Sequence, residues 1–409
     1  MTLSDHEIFE TGGGALALLS AALLLPAIFP RAAAGEAPRL LSILAATVTT
    51  PAIETSVDLY RDALGYRVVE RGVVSPALAR SWGAPAMAGR AQAVLAPASG
   101  EAVFLRLVAG TPVPGYRPLT TTGWNAIELL VQDPDAVARR LADTAFTRLG
   151  APAFLAPGSS VRATQFAGPA GEVFYFTADT GPAAESTLAR ARSAVDRPFI
   201  LVLAGDDASA LAAFYRGRFA LPEAFRSRLP IPIIARAQGR QESEDYPLVL
   251  LRLAAFSHSL ELDGYGDAPP RPTAAGELPP GVALATFLVA DLDALGDLPY
   301  LAPPSAQHAA PYDGRRSATL RGPAGELIEL EITPKVIRDT DMSGRYYYRP
   351  ILGTSRGGGY VDGPTPRQYY PFSLAFSRAT EETILISGLI IERPADHRAE
   401  RIIERKLWR

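Results

Sequence analysis

The residues able to do chemistry in this 409-residue chain are few. There is no cysteine, which excludes disulfides, thiolate zinc sites, iron–sulfur clusters and a cysteine nucleophile. Only four histidines occur, His6, His258, His308 and His397, so histidine-rich metal sites are excluded by number. His258 precedes Glu261 by three residues, and on a strand an odd spacing puts two side chains on opposite faces. Arginine supplies nearly all the positive charge, with Lys335 and Lys406 the only lysines, which reads as codon bias in a GC-rich genome. A formal net charge of −3 argues against a nucleic-acid partner. At 48% hydrophobic and 20% charged residues, the chain can bury a large core and is not disordered as a whole.

The elements that would position such residues come as a repeat. Ser56-Val-Asp-Leu-Tyr60-Arg61 has a counterpart in Leu211-Ala-Ala-Phe-Tyr215-Arg216, with the tyrosines 155 apart. Gly-Pro-Ala-Gly-Glu spans Gly168 to Glu172 and again Gly322 to Glu326, 154 apart. Leu105-Arg106-Leu107 and Leu260-Glu261-Leu262 are again 155 apart. Each unit divides in two, with apolar strand openings near Leu41, Trp124, Phe199 and Ala283. Each opening leads into sequence with helical spacing, for which Asp133 and Pro134 are a natural N-cap and first helical residue. Short alternating strands follow. The pattern is strand, helix and about three strands, four times over.

This pattern resembles the vicinal oxygen chelate superfamily, the glyoxalase, bleomycin-resistance and extradiol dioxygenase group. The stretch from Thr50 through Ser56, Tyr60, Leu64 and Gly65 is similar to the superfamily's helix after its first strand, and Leu288 to Ala294 to the same turn in the fourth module. The two Gly-Pro-Ala-Gly-Glu runs, ending in Tyr175-Phe and Glu329-Leu, are similar to its closing hairpin. The resemblance covers roughly residues 40–334. It implies an α+β fold of four βαβββ modules forming two curled eight-stranded sheets, as a first glyoxalase-like domain over 40–182 and a second over 196–334.

The superfamily places up to four ligands on the opening and closing strands of a module pair. In the first domain those positions offer Leu44 to Ala46, Trp124 to Ala126, Arg106 and Tyr175. None suits a divalent metal, and an arginine repels one. Either this cleft is filled and the domain is a scaffold, or Arg106, Asn125 and Tyr175 hydrogen-bond a polar or anionic small molecule. In the second domain the closing strands carry Glu261 and Glu329, and neither opening strand has a histidine. Extradiol dioxygenase activity is rejected, because two ligands of its 2-His-1-carboxylate triad are missing.

Three readings of Glu261 and Glu329 stay open. Facing one another, they could not both ionise cheaply, so Glu329 would act as a base tuned by Glu261 in metal-free lyase or isomerase chemistry. Alternatively they hold a hydrated divalent cation, with His308 in a loop as a further ligand. The bland alternative is a solvated strand edge. No cofactor is expected otherwise. The rival class is a non-catalytic sequestering protein whose cleft is lined by aromatics such as Trp124 and Tyr175. A small-molecule ligand is the expected partner, with a homodimer allowed for and no membrane contact beyond a leader.

That leader lies within residues 1–36. Ala15 to Phe29 is an apolar run that suits an export signal followed by Ala32-Ala33-Ala34, but no Lys or Arg precedes it. It is equally an apolar packed helix or the product of a misplaced start codon. Export follows from the first reading and a cytoplasmic location from the others. The extension over 335–409 contains a stretch from Pro371 to Ile390 that faintly resembles the start of a RidA-type imine deaminase, with no activity carried over. It ends in a charged helix candidate over 396–409.

Overall fold

The computed structural model describes residues 37–333, together with four short strands beyond them. Each opening strand is followed by a helix or tight turn and then by three strands. Module 1 contains β1 (Ser42–Thr50), α1 (Ile53–Leu59), β2 (Arg67–Val73), a short helix α2 (Pro76–Ser81), β3 (Ala91–Ala96) and β4 (Phe104–Ala109). Module 2 contains β5 (Gly123–Val131), α3 (Pro134–Leu141), β6 (Thr147–Phe154), β7 (Val161–Ala167) and β8 (Val173–Asp179). Module 3 contains β9 (Val195–Gly205), α4 (Ala208–Phe219), β10 (Glu223–Pro230), α5 (Pro232–Gln238), β11 (Asp245–Arg252) and β12 (Ser259–Gly264). Module 4 contains β13 (Gly281–Val289), a 3₁₀ turn over Asp293–Leu295, β14 (Ser305–Ala306), β15 (Arg316–Arg321) and β16 (Leu327–Ile332). Local sequence explains several starts. Asp133 accepts a hydrogen bond from the Asp135 N–H at 2.8 Å, and Pro134 occupies the first helical position. Asp207 caps α4 in the same way.

The strands form two eight-stranded mixed sheets, ordered β14-β15-β16-β13-β1-β4-β3-β2 and β10-β11-β12-β9-β5-β8-β7-β6. Module 1 therefore shares a sheet with module 4, and module 2 with module 3. The consecutive pairing implied by domains at 40–182 and 196–334 is not the one adopted. β1 runs antiparallel to β13 and β5 to β9, while each opening strand runs parallel to the closing strand of its own module.

One core runs between the sheets and under α1, α3 and α4, with Val48, Tyr60, Trp124, Phe174, Leu203, Tyr215 and Phe287 fully buried in it. A second core fills the opposite face of the module 2–3 sheet beneath α5. A third does the same for the module 1–4 sheet beneath α2 and Trp82. The repeated sequence landmarks are ties between successive modules. Tyr60 donates to Glu172 Oε1 at 2.8 Å, and Tyr215 to Glu326 Oε1 at 2.9 Å. Each glutamate also accepts from the backbone N–H two residues before it, at 2.9 and 2.8 Å, closing its hairpin. The first glycine of each motif is required, since a Cβ at Gly168 or Gly322 would lie 1.9 Å from that carboxylate.

No described helix is long and apolar enough to cross a membrane. Beyond Pro334, β17 (Val336–Thr340) pairs with β18 (Tyr346–Pro350), and β19 (Ser373–Phe376) with β20 (Thr383–Ile386), both antiparallel. The leader and the terminal helix candidate lie outside the described residues, as does most of the RidA-like stretch.

Candidate functional site

The registers give each sheet four equivalent positions on its lidded face, two from opening and two from closing strands. In the module 1–4 sheet Thr47 pairs with Arg106, and Thr286 with Glu329. In the module 2–3 sheet Val202 pairs with Glu261, and Glu128 with Tyr175. Glu261 and Glu329 thus lie in different sheets, so they neither form the expected facing pair nor share a cation.

The first set is closed on itself. Arg106 and Glu329 are both fully buried and meet at 2.9 Å. Glu329 also accepts from Trp82 Nε1 at 2.8 Å, from Tyr312 at 2.8 Å and from Thr286 at 2.7 Å. Arg106 donates to Thr47 at 2.9 Å, to Thr286 at 3.2 Å and to the Tyr312 hydroxyl. Its guanidinium lies 4.9 Å from the centre of the Trp82 ring and 5.3 Å from that of Tyr312. Burial opposes the charge on Arg106, but Tyr312 and Glu329 outweigh it, so its pKa is raised. The anion expected for Arg106 is therefore Glu329. With all its lone pairs engaged, Glu329 is not placed to serve as a base, and a threonine–arginine–threonine–glutamate set does not fit a divalent metal.

The second set is unbalanced. Glu128, Glu261 and Asp263 are 2%, 0% and 0% exposed, and the strand period puts Asp263 on the same face as Glu261. No cationic side chain stands among the four positions. Thr177 donates to Glu128 Oε2 at 3.2 Å, but Glu128 Oε1, both Asp263 carboxylate oxygens and the hydroxyls of Tyr175 and Tyr265 are buried without a hydrogen-bond partner. Burial first, and then the neighbouring Glu261, hold the Glu128 carboxyl well above the ordinary carboxylate range. The same two causes, with Glu128 added, raise Asp263. Among the described residues no three His, Asp or Glu converge as a metal site, and this set does not fit a divalent ion either.

The lids explain why the two faces differ. Pro76-Ala-Leu-Ala-Arg-Ser-Trp82-Gly83 and Pro232-Ile-Ile-Ala-Arg-Ala-Gln238-Gly239 are equivalent stretches 156 apart. Ala310-Pro-Tyr312 corresponds to Ala156-Pro-Gly158, 154 apart. The two aromatic side chains that seal the module 1–4 face are thus glutamine and glycine on the other. A Cβ added at Gly158 would meet nothing within 4 Å. Gln238, with Arg240 and the 114–121 and 265–272 segments, lines a groove of about 540 Å³ at this end of the module 2–3 sheet. Tyr265 lines the same groove and feels the charges of Asp263 and Glu261.

Four lidded, paired βαβββ modules decide the architecture. It is the vicinal oxygen chelate fold, built twice. No family model and no curated protein matches this chain. Among solved structures it is similar to glyoxalase I from Zea mays, at 15% identity over 71% of this chain and 92% of that one, with a TM-score of 0.49. It is also similar to a member of the glyoxalase/bleomycin resistance protein/dioxygenase superfamily from Sphaerobacter thermophilus, at 22% identity over 33% of this chain and 94% of that one, TM-score 0.24. A third is the genomically encoded fosfomycin resistance protein FosX from Listeria monocytogenes, complexed with Mn(II) and sulfate, at 11% identity over 34% of this chain and 91% of that one, TM-score 0.24.

The remaining expected site residues are accounted for. Trp124 donates to the Leu327 carbonyl at 2.8 Å and packs on Phe287 in the core between the sheets, so it lines neither cleft. Asn125 donates to the carbonyls of Thr121 and Gly123, fixing the start of β5. His308 is exposed in module 4. His258 is buried and accepts the Ile43 N–H at 3.2 Å, apart from Glu261 as its spacing predicts. Tyr175 alone of the first-domain residues belongs to the unbalanced set. Sequence reasoning missed Thr47, Trp82, Glu128, Asp263, Tyr265, Thr286 and Tyr312. A lone glutamate in the apolar run Gly123 to Val131, and the 156-residue match of the two lids, were the available signals.

Proposed function

We propose that the protein holds a small organic molecule in the cleft of modules 2 and 3, and that modules 1 and 4 are its sealed scaffold. The observation that carries this is the exchange of Trp82 and Tyr312 for Gln238 and Gly158, which leaves a groove against Gln238 and unpartnered buried polar groups on this face, where the other sheet has Trp82 and Tyr312 bonded to Glu329. Buried polar atoms without partners are uncommon, and a cluster of them is where a ligand's own groups are wanted. Where turnover accompanies binding, Glu128 is the acid, since burial and then the neighbouring Glu261 raise its pKa. This supports proton-transfer chemistry of the lyase or isomerase type as the finer reading, with sequestration as its non-catalytic counterpart.

A thermal-shift screen of organic metabolites against the wild type and Gln238→Trp tests the assignment. A ligand at a hundred times its Kd stabilises by about 2.7 kcal/mol. That is a rise of roughly 5 °C in a domain of this size. Hits lost in Gln238→Trp support the cleft. Hits that persist there place binding elsewhere and end the proposal.

A further inference from the structure

Taking the module 2–3 cleft as the binding site, we infer that its ligand is an organic carboxylate, whose charged group Arg117 receives in the groove it shares with Gln238, Arg240 and Tyr265. The ligand's apolar body lies along the prolines of the same groove. Among the lining residues two guanidiniums stand against one carboxylate. Arg240 occupies that carboxylate, meeting Asp267 at 2.9 Å, and meets Glu244 at 2.7 Å as well. Arg117 is exposed, and its guanidinium has no ion pair or hydrogen bond among the described residues. Arg271, placed between the lining residues Pro270 and Pro272, has no carboxylate partner among them either. It donates to Thr121 Oγ1 at 3.2 Å and to the carbonyls of Pro280 and Val282, and its Nη2 is buried without a partner.

The neutral groups add to this excess of donors. Both ends of the Gln238 amide are engaged, Nε2 with the Leu119 carbonyl at 3.0 Å and Oε1 with the Tyr246 hydroxyl at 3.1 Å. The Thr120 hydroxyl donates to the Arg117 carbonyl at 2.8 Å. Tyr265 is 1% exposed, and its hydroxyl has no partner. Arg271 is close enough to oppose the rise that burial above all gives that hydroxyl's pKa. A cationic ligand would meet the free guanidinium of Arg117 and satisfy none of these donors. A carboxylate accepts two parallel bonds from a planar guanidinium and keeps lone pairs for a hydroxyl. Pro114, Pro269, Pro270 and Pro272 form rigid walls without N–H groups, suited to an apolar body.

The probes are phenylacetate, phenylacetamide and phenethylamine, of one shape and three charges, titrated calorimetrically into the wild type, Arg117→Gln, Asp267→Asn and Gln238→Trp. Phenylacetate should bind at least about tenfold more tightly than the other two, weaken about tenfold in Arg117→Gln and be lost in Gln238→Trp. Asp267→Asn releases the Arg240 guanidinium and should tighten phenylacetate about two- to fivefold, a gain that a folding defect cannot imitate. Should the amide or the amine bind as well as the acid, with all binding lost in Gln238→Trp, the carboxylate assignment falls and the cleft stands. Acid binding unchanged in Arg117→Gln overturns the placement at that residue, whatever Asp267→Asn does. Should binding survive Gln238→Trp, both the carboxylate and the cleft fall. Should no probe bind, the carboxylate assignment falls, and the metabolite screen alone decides the cleft.

Discussion

Arg106 and Glu329 show how much a side chain's meaning depends on what faces it. Each looked like half of a ligand site, one for an anion and one for a proton or a metal. In the fold they are each other's counter-ion, enclosed by Trp82, Tyr312 and two threonines. Breaking such a buried pair from one side is costly because the survivor stays buried and charged. Glu329→Gln should therefore lose about 3–5 kcal/mol of stability, read as a lowered urea midpoint. Replacing both partners with methionine should cost far less, since no charge is left behind. Neither change should alter ligand affinity in the module 2–3 cleft. A loss of binding in a folded Glu329→Gln protein would show that the sealed sheet is no mere scaffold.

At the scale of elements, the Gly-Pro-Ala-Gly-Glu hairpins link one module to the helix of the module before it. Burial holds Glu172 and Glu326 at a pKa of about 7, against an ordinary 4.5. The folded state thus grips these protons more tightly than the unfolded chain. The stability they contribute is full below about pH 4.5, falls as the pH rises toward 7 and is level above that. Glu172→Gln, which stays neutral, should remove about 3 kcal/mol of that fall between pH 4.5 and 8. Denaturant titrations of wild type and variant at the two pH values give the difference directly, and an unchanged difference would mean Glu172 is not buried with its proton. These hairpins also mark what was legible. The repeat offset, the helix caps and the βαβββ order could be read because they rest on local signals: glycine at a close approach, Asp133 at an N-cap, alternation in the strands. The landmark tyrosines and glutamates were conspicuous because they bond to each other, which is architecture, not catalysis. The candidate site was only half legible. Glu261 and Tyr175 were found by their place on closing strands, but Glu128 and the lid exchange depend on register and on which modules share a sheet.

Which modules share a sheet is a property of the whole molecule, and nothing local decides it. All four opening strands are buried along their whole length, so none shows an in–out alternation that would mark its partner. The partner is chosen by what the pairing brings together. Joining module 1 to module 4 sets Arg106 against Glu329, whereas joining it to module 2 would set Arg106 beside Glu128 and Tyr175 and leave Glu329 with Glu261. The observed choice places Arg106 against Glu329 in one sheet and leaves Glu128 and Glu261 in the other, which is how a near-symmetric duplication acquires two faces of different charge. Its consequence for folding is specific. Residues 37–185 and 186–333, expressed as separate chains, each hold two modules that belong to different sheets. Alone, each exposes the apolar edges of two opening strands, an invitation to aggregate. Neither half should run as a folded monomer, and co-expression should give a one-to-one complex with the circular dichroism of the intact chain. Two halves that fold independently, each with its own eight-stranded sheet, would instead restore consecutive pairing, and with it a cleft containing both Glu261 and Glu329.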